Sequence, residues 1–170
     1  MSNTSIPSLG IGLMLAAAAT TGAVAADKSY SVTEQVDLKA APARTWAAIQ
    51  DFKGWQTWHP AFASTVITKG EGNTKGSVRE LTTGDGAKFI EELVTHDGAS
   101  RKVQYRIIES PLPITGYVST LEVRSGHNGG STVVWSSHFG VKAGASDEEM
   151  KKTIAGVYRA GLDNLAVAVK

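Results

Sequence analysis

The sequence predicts an α+β domain in which a curled seven-stranded antiparallel sheet wraps round one long C-terminal helix, with two short helices after the first strand. Three observations lead there. A first strand is followed by a compact helical stretch rich in tryptophan. Six further strand-like runs come next, most of them closed by glycine or proline turns. The chain then ends in a single amphipathic segment that carries its own N-terminal cap.

Taken in order, "YSVTEQVDL" from Tyr30 alternates as a strand, with Val32, Val36 and Leu38 among its apolar positions. "AAPARTWAAIQDF" reads as a helix, because Pro42 suits a first turn and Trp46 and Ile49 fall on one face. "GWQTWHPAF" follows as a short helix or tight turn, ended by the residue before Pro60. The strands are "STVITK", "SVRELTT", "AKFIEELVTHD", "RKVQYRIIES", "GYVSTLEVRS" and "STVVWSSHFGV". Asp85-Gly86 and Asp97-Gly98 are turn signals, since glycine tolerates positive φ. Ser146 to Glu149 forms a capping box, and Met150, Ile154, Val157, Gly161, Leu165 and Val169 recur at helical spacing. From Asp147 to Val169 that helix is about 34 Å long at 1.5 Å per residue. It is the only element large enough to cover one face of the sheet, and a sheet curled round one helix tends to leave a pocket between them.

A length of 170 residues suits one domain, preceded by a short leader. Residues 1–26 contain the apolar run "IGLMLAAAAT" and the small-residue stretch "AVAA", which read as a secretory signal peptide cleaved after Ala25 or Ala26. Residues 2–10 hold no Lys or Arg, so the positive charge of that leader rests on the amino terminus. A membrane anchor is the alternative, but the run is short and alanine-rich for about 30 Å of hydrocarbon. Residues 27–170 then form an exported domain of the periplasm. The net charge is +1 and no basic run exceeds two residues, which argues against nucleic acid as a partner. With no cysteine, disulfides, thiolate catalysis and zinc–cysteine sites are excluded.

Several motifs together resemble the START-like, helix-grip superfamily, and within it the polyketide cyclase/dehydrase and lipid transport group. They are "PxxxW" (Pro42 to Trp46), "DFxxWxxWHP" (Asp51 to Pro60), "GSVREL" (76–81) and "DG…EEL…D" (Asp85 to Asp97). "YRI" with "SPLP" (105–113) and "YxxGLxxL" (158–165) complete the series. The resemblance covers essentially all of 28–170. It implies a deep, mostly apolar cavity holding a hydrophobic or amphipathic small molecule, and no single chemistry. Exported members of the group exist, and one type is a small periplasmic accessory protein of methanol oxidation, similar in size and export to this chain.

Candidate cavity residues come from two sources. Trp55 and Trp58 share a face in a helical turn, either as ligand-facing rings or as a plug between the short helices and the sheet. His59 beside them is an acid, base or hydrogen-bond donor in one reading and a packing residue in the other. Strand parity gives the second set. Arg79 lies with Leu81, Glu91 with Phe89 and Leu93, and Tyr105 with Val103 and Ile107. Tyr117 lies with Ser119, Leu121 and Val123, and Trp135 with Val133, Ser137 and Phe139. If these apolar faces are interior, Arg79 and Glu91 must be buried and paired with one another. That pair is either structural, or an Arg79 that binds a ligand carboxylate or hydroxyl with Glu91 orienting it. Tyr158 joins the candidates from the C-terminal helix.

Histidines 59, 96, 127 and 138 show no HxH or HExxH spacing, so no metal site is expected, and His96 and His127, beside glycine-rich turns, read as solvated. No GxGxxG, GxxxxGK[ST] or GxSxG motif is present, so no cofactor is expected. The first functional reading is an exported, non-catalytic binding protein for a hydrophobic small molecule, serving a periplasmic enzyme. The second is a cyclase- or dehydratase-type enzyme acting on a polyketide-like or aromatic substrate, with Arg79, Glu91, His59 or a tyrosine moving protons. A third is an interaction module whose cavity is vestigial.

Overall fold

The computed structural model of the protein describes residues 28–170. The proposed signal peptide, residues 1–26, lies outside them. The order of elements is β1 (Ser29–Leu38), α1 (Pro42–Ile49), β2 (Phe62–Lys69), β3 (Val78–Thr83), β4 (Lys88–Asp97), β5 (Lys102–Glu109), β6 (Ile114–Ser125), β7 (Ser131–Val141) and α2 (Asp147–Ala168). Single 3-10 turns stand at Trp55–Thr57 and His127–Gly129. All seven strands form one antiparallel sheet in the order β1-β7-β6-β5-β4-β3-β2. This is the predicted helix-grip architecture, with α2 lying against β1 and β7.

The topology has one consequence for the site. β1 is at one sheet edge and β2 at the other, so α1 and the Trp55–Thr57 turn carry the chain across from edge to edge. Alternation then decides what faces inward. On β6, Tyr117, Ser119, Leu121 and Val123 are buried, as are Val133, Trp135, Ser137 and Phe139 on β7. Each set repeats every second residue, as pleating requires.

Local chemistry explains where the elements start and stop. Pro42 opens α1, where its missing N–H costs nothing. The helix stops at Ile49, earlier than the apolar pattern implied, and "WQT" closes only a 3-10 turn. At Gly86 the turn uses φ +89°, as expected for an Asp-Gly pair. The second Asp-Gly pair behaves differently. Asp97 Oδ1 accepts from the Ala99 and Ser100 N–H groups, and the positive φ falls on Arg101, not on Gly98. Of the capping box at α2, the serine half forms: Ser146 Oγ accepts from Glu149 N–H at 3.3 Å.

The buried stripe of α2 is rotated from the expected one. Ile154, Tyr158, Gly161, Leu162 and Leu165 are buried, while Met150 and Val157 are only partly covered. Tyr158 and Leu162 displace them because the helix packs on the β1–β7 side of the sheet, which turns that flank inward. Leu165 is fully buried. Leu165→Ala is therefore expected to cost about 2–5 kcal/mol in urea unfolding, the range for a buried leucine that leaves a cavity. A loss below about 0.5 kcal/mol would mean that the helix face seated on the sheet is a different one.

Candidate functional site

The inner faces of β3 to β7, the Trp55–Thr57 turn and α2 converge on one buried region. At its base Arg79 and Glu91 stand directly opposite on β3 and β4. Arg79 is fully buried and Glu91 is 5% exposed. Glu91 Oε2 accepts from Arg79 Nε at 2.8 Å and from NH2 at 2.6 Å. Arg79 NH1 donates to the Phe52 carbonyl at 2.8 Å, and the guanidinium lies 4.0 Å from the Phe52 ring centre and 3.7 Å from that of Trp55. Burial lowers the guanidinium pKa and raises that of the carboxyl, and the attraction between the two opposes both shifts. Guanidinium keeps its proton in proteins, so the pair is ionic.

Above the pair is an aromatic cluster. Trp55 meets Tyr105 and Trp135 edge-on, with ring centres 5.1 and 5.3 Å apart, and Trp58 at 5.2 Å. Tyr158 stacks on Trp135 at 4.4 Å. A chain of hydroxyls threads the cluster, and its direction can be assigned. Ser119 Oγ donates to the Ser136 carbonyl, so it accepts from Tyr158 O–H at 3.1 Å and from Trp135 Nε1 at 3.0 Å. Tyr158 has then spent its proton and accepts from Tyr117. Trp135 Nε1 also reaches the Tyr105 hydroxyl oxygen at 3.1 Å. Burial pushes the three tyrosines well above the ordinary phenol range, so all are neutral.

His59 does different work. Its Nε2–H donates to the Val157 carbonyl of α2 at 3.1 Å, and Nδ1 accepts from the Ala61 N–H at 3.2 Å. That pair of bonds specifies the neutral tautomer protonated on Nε2. Asn164 Nδ2 donates to the Trp58 carbonyl at 2.8 Å, giving a second tie between turn and helix. The close approach needs Gly161, because a Cβ there would overlap His59 Cδ2 and stand 2.7 Å from Nε2. Desolvation lowers the His59 pKa to about 4. His96, read from sequence as solvated, is half-buried instead. It donates from Nε2 to the Gln50 carbonyl at 2.9 Å and lies beside Trp46, because the end of α1 folds down onto β4. His127 is exposed, as its turn implied.

Between this cluster and α2 lies a cavity of about 110 Å³. Six of the nine residues singled out from sequence line it: Trp55, Glu91, Tyr105, Tyr117, Trp135 and Tyr158. Trp58, His59 and Arg79 do not. Arg79 is sealed beneath Phe52 and Trp55, and the ring of His59 is turned onto the backbone of α2. The roles imagined for the ion pair are thus exchanged, with Glu91 as the member that reaches the cavity. The apolar lining adds Phe62, Phe89, Ile107, Leu112, Ile154 and Val157. Phe89 and Ile107 share strand parity with Glu91 and Tyr105 and were legible on that ground. Leu112, in the "SPLP" connection, carried no such signal.

Residues 29–170 match the family model described as polyketide cyclase / dehydrase and lipid transport. The chain belongs to that family. Among solved structures it is similar to the protein XoxI from Bacillus cereus, at 32% identity over 82% of this chain and 94% of that one, with a TM-score of 0.76. A protein of Nitrosospira multiformis matches at 26% identity over 83% and 97%, with a TM-score of 0.73. One from Thermobifida fusca matches at 29% over 80% and 90%, with a TM-score of 0.72. No curated protein matches the sequence. In this family member the cavity is smaller than the 300–1,000 Å³ usual for small-molecule sites, because the tryptophans and tyrosines fill much of the space between sheet and helix.

Two outcomes follow from this geometry. Arg79→Met and Glu91→Leu should each lose roughly 3–5 kcal/mol, since each strands a buried charge, while the double replacement recovers most of the loss. Single variants that melt like the parent would contradict a buried ion pair. For His59, the unfolded imidazole protonates near 6.5 and the folded one near 4, so the unfolded chain binds more protons as pH falls through that window. Stability should drop by about 2 kcal/mol between pH 7 and pH 5. His59→Gln, which keeps an N–H donor and does not titrate, should show that much less of a drop in urea unfolding at the two pH values.

Proposed function

We propose that the protein is exported to the periplasm, where it acts without catalysis as a binding protein for a small hydrophobic or amphipathic molecule held between the sheet and α2. The observation that carries this reading is the partly open cavity, walled mainly by aromatic and aliphatic side chains and reached by the Glu91 carboxylate of a buried ion pair. A binding site needs such a wall with a few placed polar groups. The polar groups nearest the cavity are mostly spent on one another. Tyr117, Tyr158 and Ser119 form a directed chain that ends on a backbone carbonyl, and Arg79 is committed to Glu91 and Phe52. Neutral tyrosines with raised pKa values are poor bases at neutral pH. These features favour holding a ligand over transforming it. An accessory role beside a periplasmic enzyme is our reading of the similarity in size and apparent export to the methanol-oxidation accessory type.

Native mass spectrometry of the protein recovered from its own periplasm tests both parts. The expected species begins at Ala26 or Asp27 and carries one small molecule per chain. An intact amino terminus in the membrane pellet would count against export. An empty protein bound tightly to another protein would replace the carrier reading with an interaction module.

A further inference from the structure

Three residues on the cavity wall carry polar groups with unused capacity, namely Glu91, Tyr105 and Trp55, whose Nε1–H has no acceptor among the described residues. Both Arg79 bonds to Glu91 end on Oε2, so Oε1 accepts no hydrogen bond among the described residues. Glu91 lines the cavity, and its small residual exposure opens there. The second group is the Tyr105 hydroxyl. Its oxygen accepts from Trp135 Nε1, an N–H that can only donate, and the acceptor near its own proton, Ser119 Oγ, already takes Tyr158 O–H and Trp135 Nε1. Glu91 faces Ile107 across the β4–β5 ladder, and Tyr105 is two residues away on the same face, a diagonal neighbour within reach of long side chains. The wall thus offers an unused acceptor on β4 and, diagonally across on β5, a hydroxyl donor that is only loosely engaged.

We propose that the cavity selects a compact, one-ring molecule bearing a neutral hydroxyl group, which donates to Glu91 Oε1 and accepts from Tyr105 O–H. The inference rests on the cavity being a ligand site, as argued under Proposed function. A hydroxyl both donates and accepts, so one group satisfies both partners. An anion is disfavoured by the carboxylate oxygen, and an ammonium would leave water for an ion pair whose net charge is already close to zero. Size is bounded by the cavity, about 110 Å³. An apolar cavity of about 150 Å³ takes up benzene, so one ring is the upper bound, and a ring with substituents enters only if the lining yields. Edge-on and stacked partners for that ring are already present in Trp55, Tyr105 and Trp135.

The test uses the domain from Asp27 and three probes of nearly one shape: toluene, p-cresol and p-toluate, titrated by amide chemical shifts and calorimetry. The expected order is p-cresol tightest, by about tenfold or more over toluene because its hydroxyl meets a charged acceptor, with p-toluate not binding. Tyr105→Phe should weaken p-cresol and leave toluene unchanged, since Trp135 Nε1 retains Ser119 as acceptor. The Arg79→Met/Glu91→Leu double variant, which avoids a stranded charge, should keep only the part of the p-cresol advantage that Tyr105 supplies. Equal affinity of toluene and p-cresol for the parent protein would overturn the hydroxyl inference and leave the binding function standing. Preferential binding of p-toluate would overturn it as well, by showing that the guanidinium reaches the ligand. An undiminished p-cresol advantage in the double variant would overturn the role of Glu91 and assign recognition to another group. If none of the probes shifts the amides around the cavity, both this inference and the binding function fall.

Discussion

The ion pair between Arg79 and Glu91 joins parts of the chain that are far apart in sequence. Arg79 stands on β3, its carboxylate partner on β4, and its third hydrogen bond goes to the Phe52 carbonyl between α1 and the tryptophan turn. The guanidinium also lies against the rings of Phe52 and Trp55. A charge so completely withdrawn from water is tolerable only where a carboxylate and further acceptors meet it and the flat surfaces have partners. That demand constrains the loop after α1 to a narrow set of positions. The same loop carries Trp55, Trp58 and His59, so the geometry of the aromatic cluster depends on a pair of charges almost wholly withdrawn from solvent.

The aromatic cluster then sets the size of what can be bound. Trp55 leans on Tyr105 and Trp135 from the turn side, and Tyr158 stacks on Trp135 from the helix side. Rings of this bulk occupy space that smaller side chains would leave open for a ligand. Gly161 contributes by its lack of a side chain, allowing the His59 ring to lie flush against α2. Turn, helix and sheet are thereby held at one separation, and the remaining cavity is compact. Family membership gives the architecture and leaves the chemistry open, so the dimensions and the uncommitted polar atoms of this cavity are the more informative guide to its ligand.

A buried hydrogen-bond chain also has direction, and here the direction matters. Because Ser119 must give its proton to a backbone carbonyl, Tyr158 and then Tyr117 are oriented in turn. Tyr105 stands at the side of this chain, receiving from Trp135 while the oxygen near its own proton, that of Ser119, is already engaged. Polar atoms left in that state are costly when buried. They mark the part of the wall where a ligand has something to gain.

Much of the architecture was determined by the sequence alone. Period-two alternation with glycine and proline breaks specified seven strands, the serine at 146 and the helical repeat specified α2, and parity placed Arg79 and Glu91 on interior faces where each needed the other. These are local patterns, or consequences of one local rule and the cost of burying charge. Parity also placed Tyr105, Tyr117 and Trp135 inside. Only the tertiary structure decided which member of the ion pair faces the cavity, that His59 serves the backbone of α2, that His96 closes onto Gln50, and how far α2 is rotated to bring Leu162 into the core. Each of these depends on the relative placement of elements from opposite sheet edges. Residue spacing within one strand or helix carries no information about that distance, because it is set by side-chain volumes and hydrogen bonds contributed from remote parts of the chain.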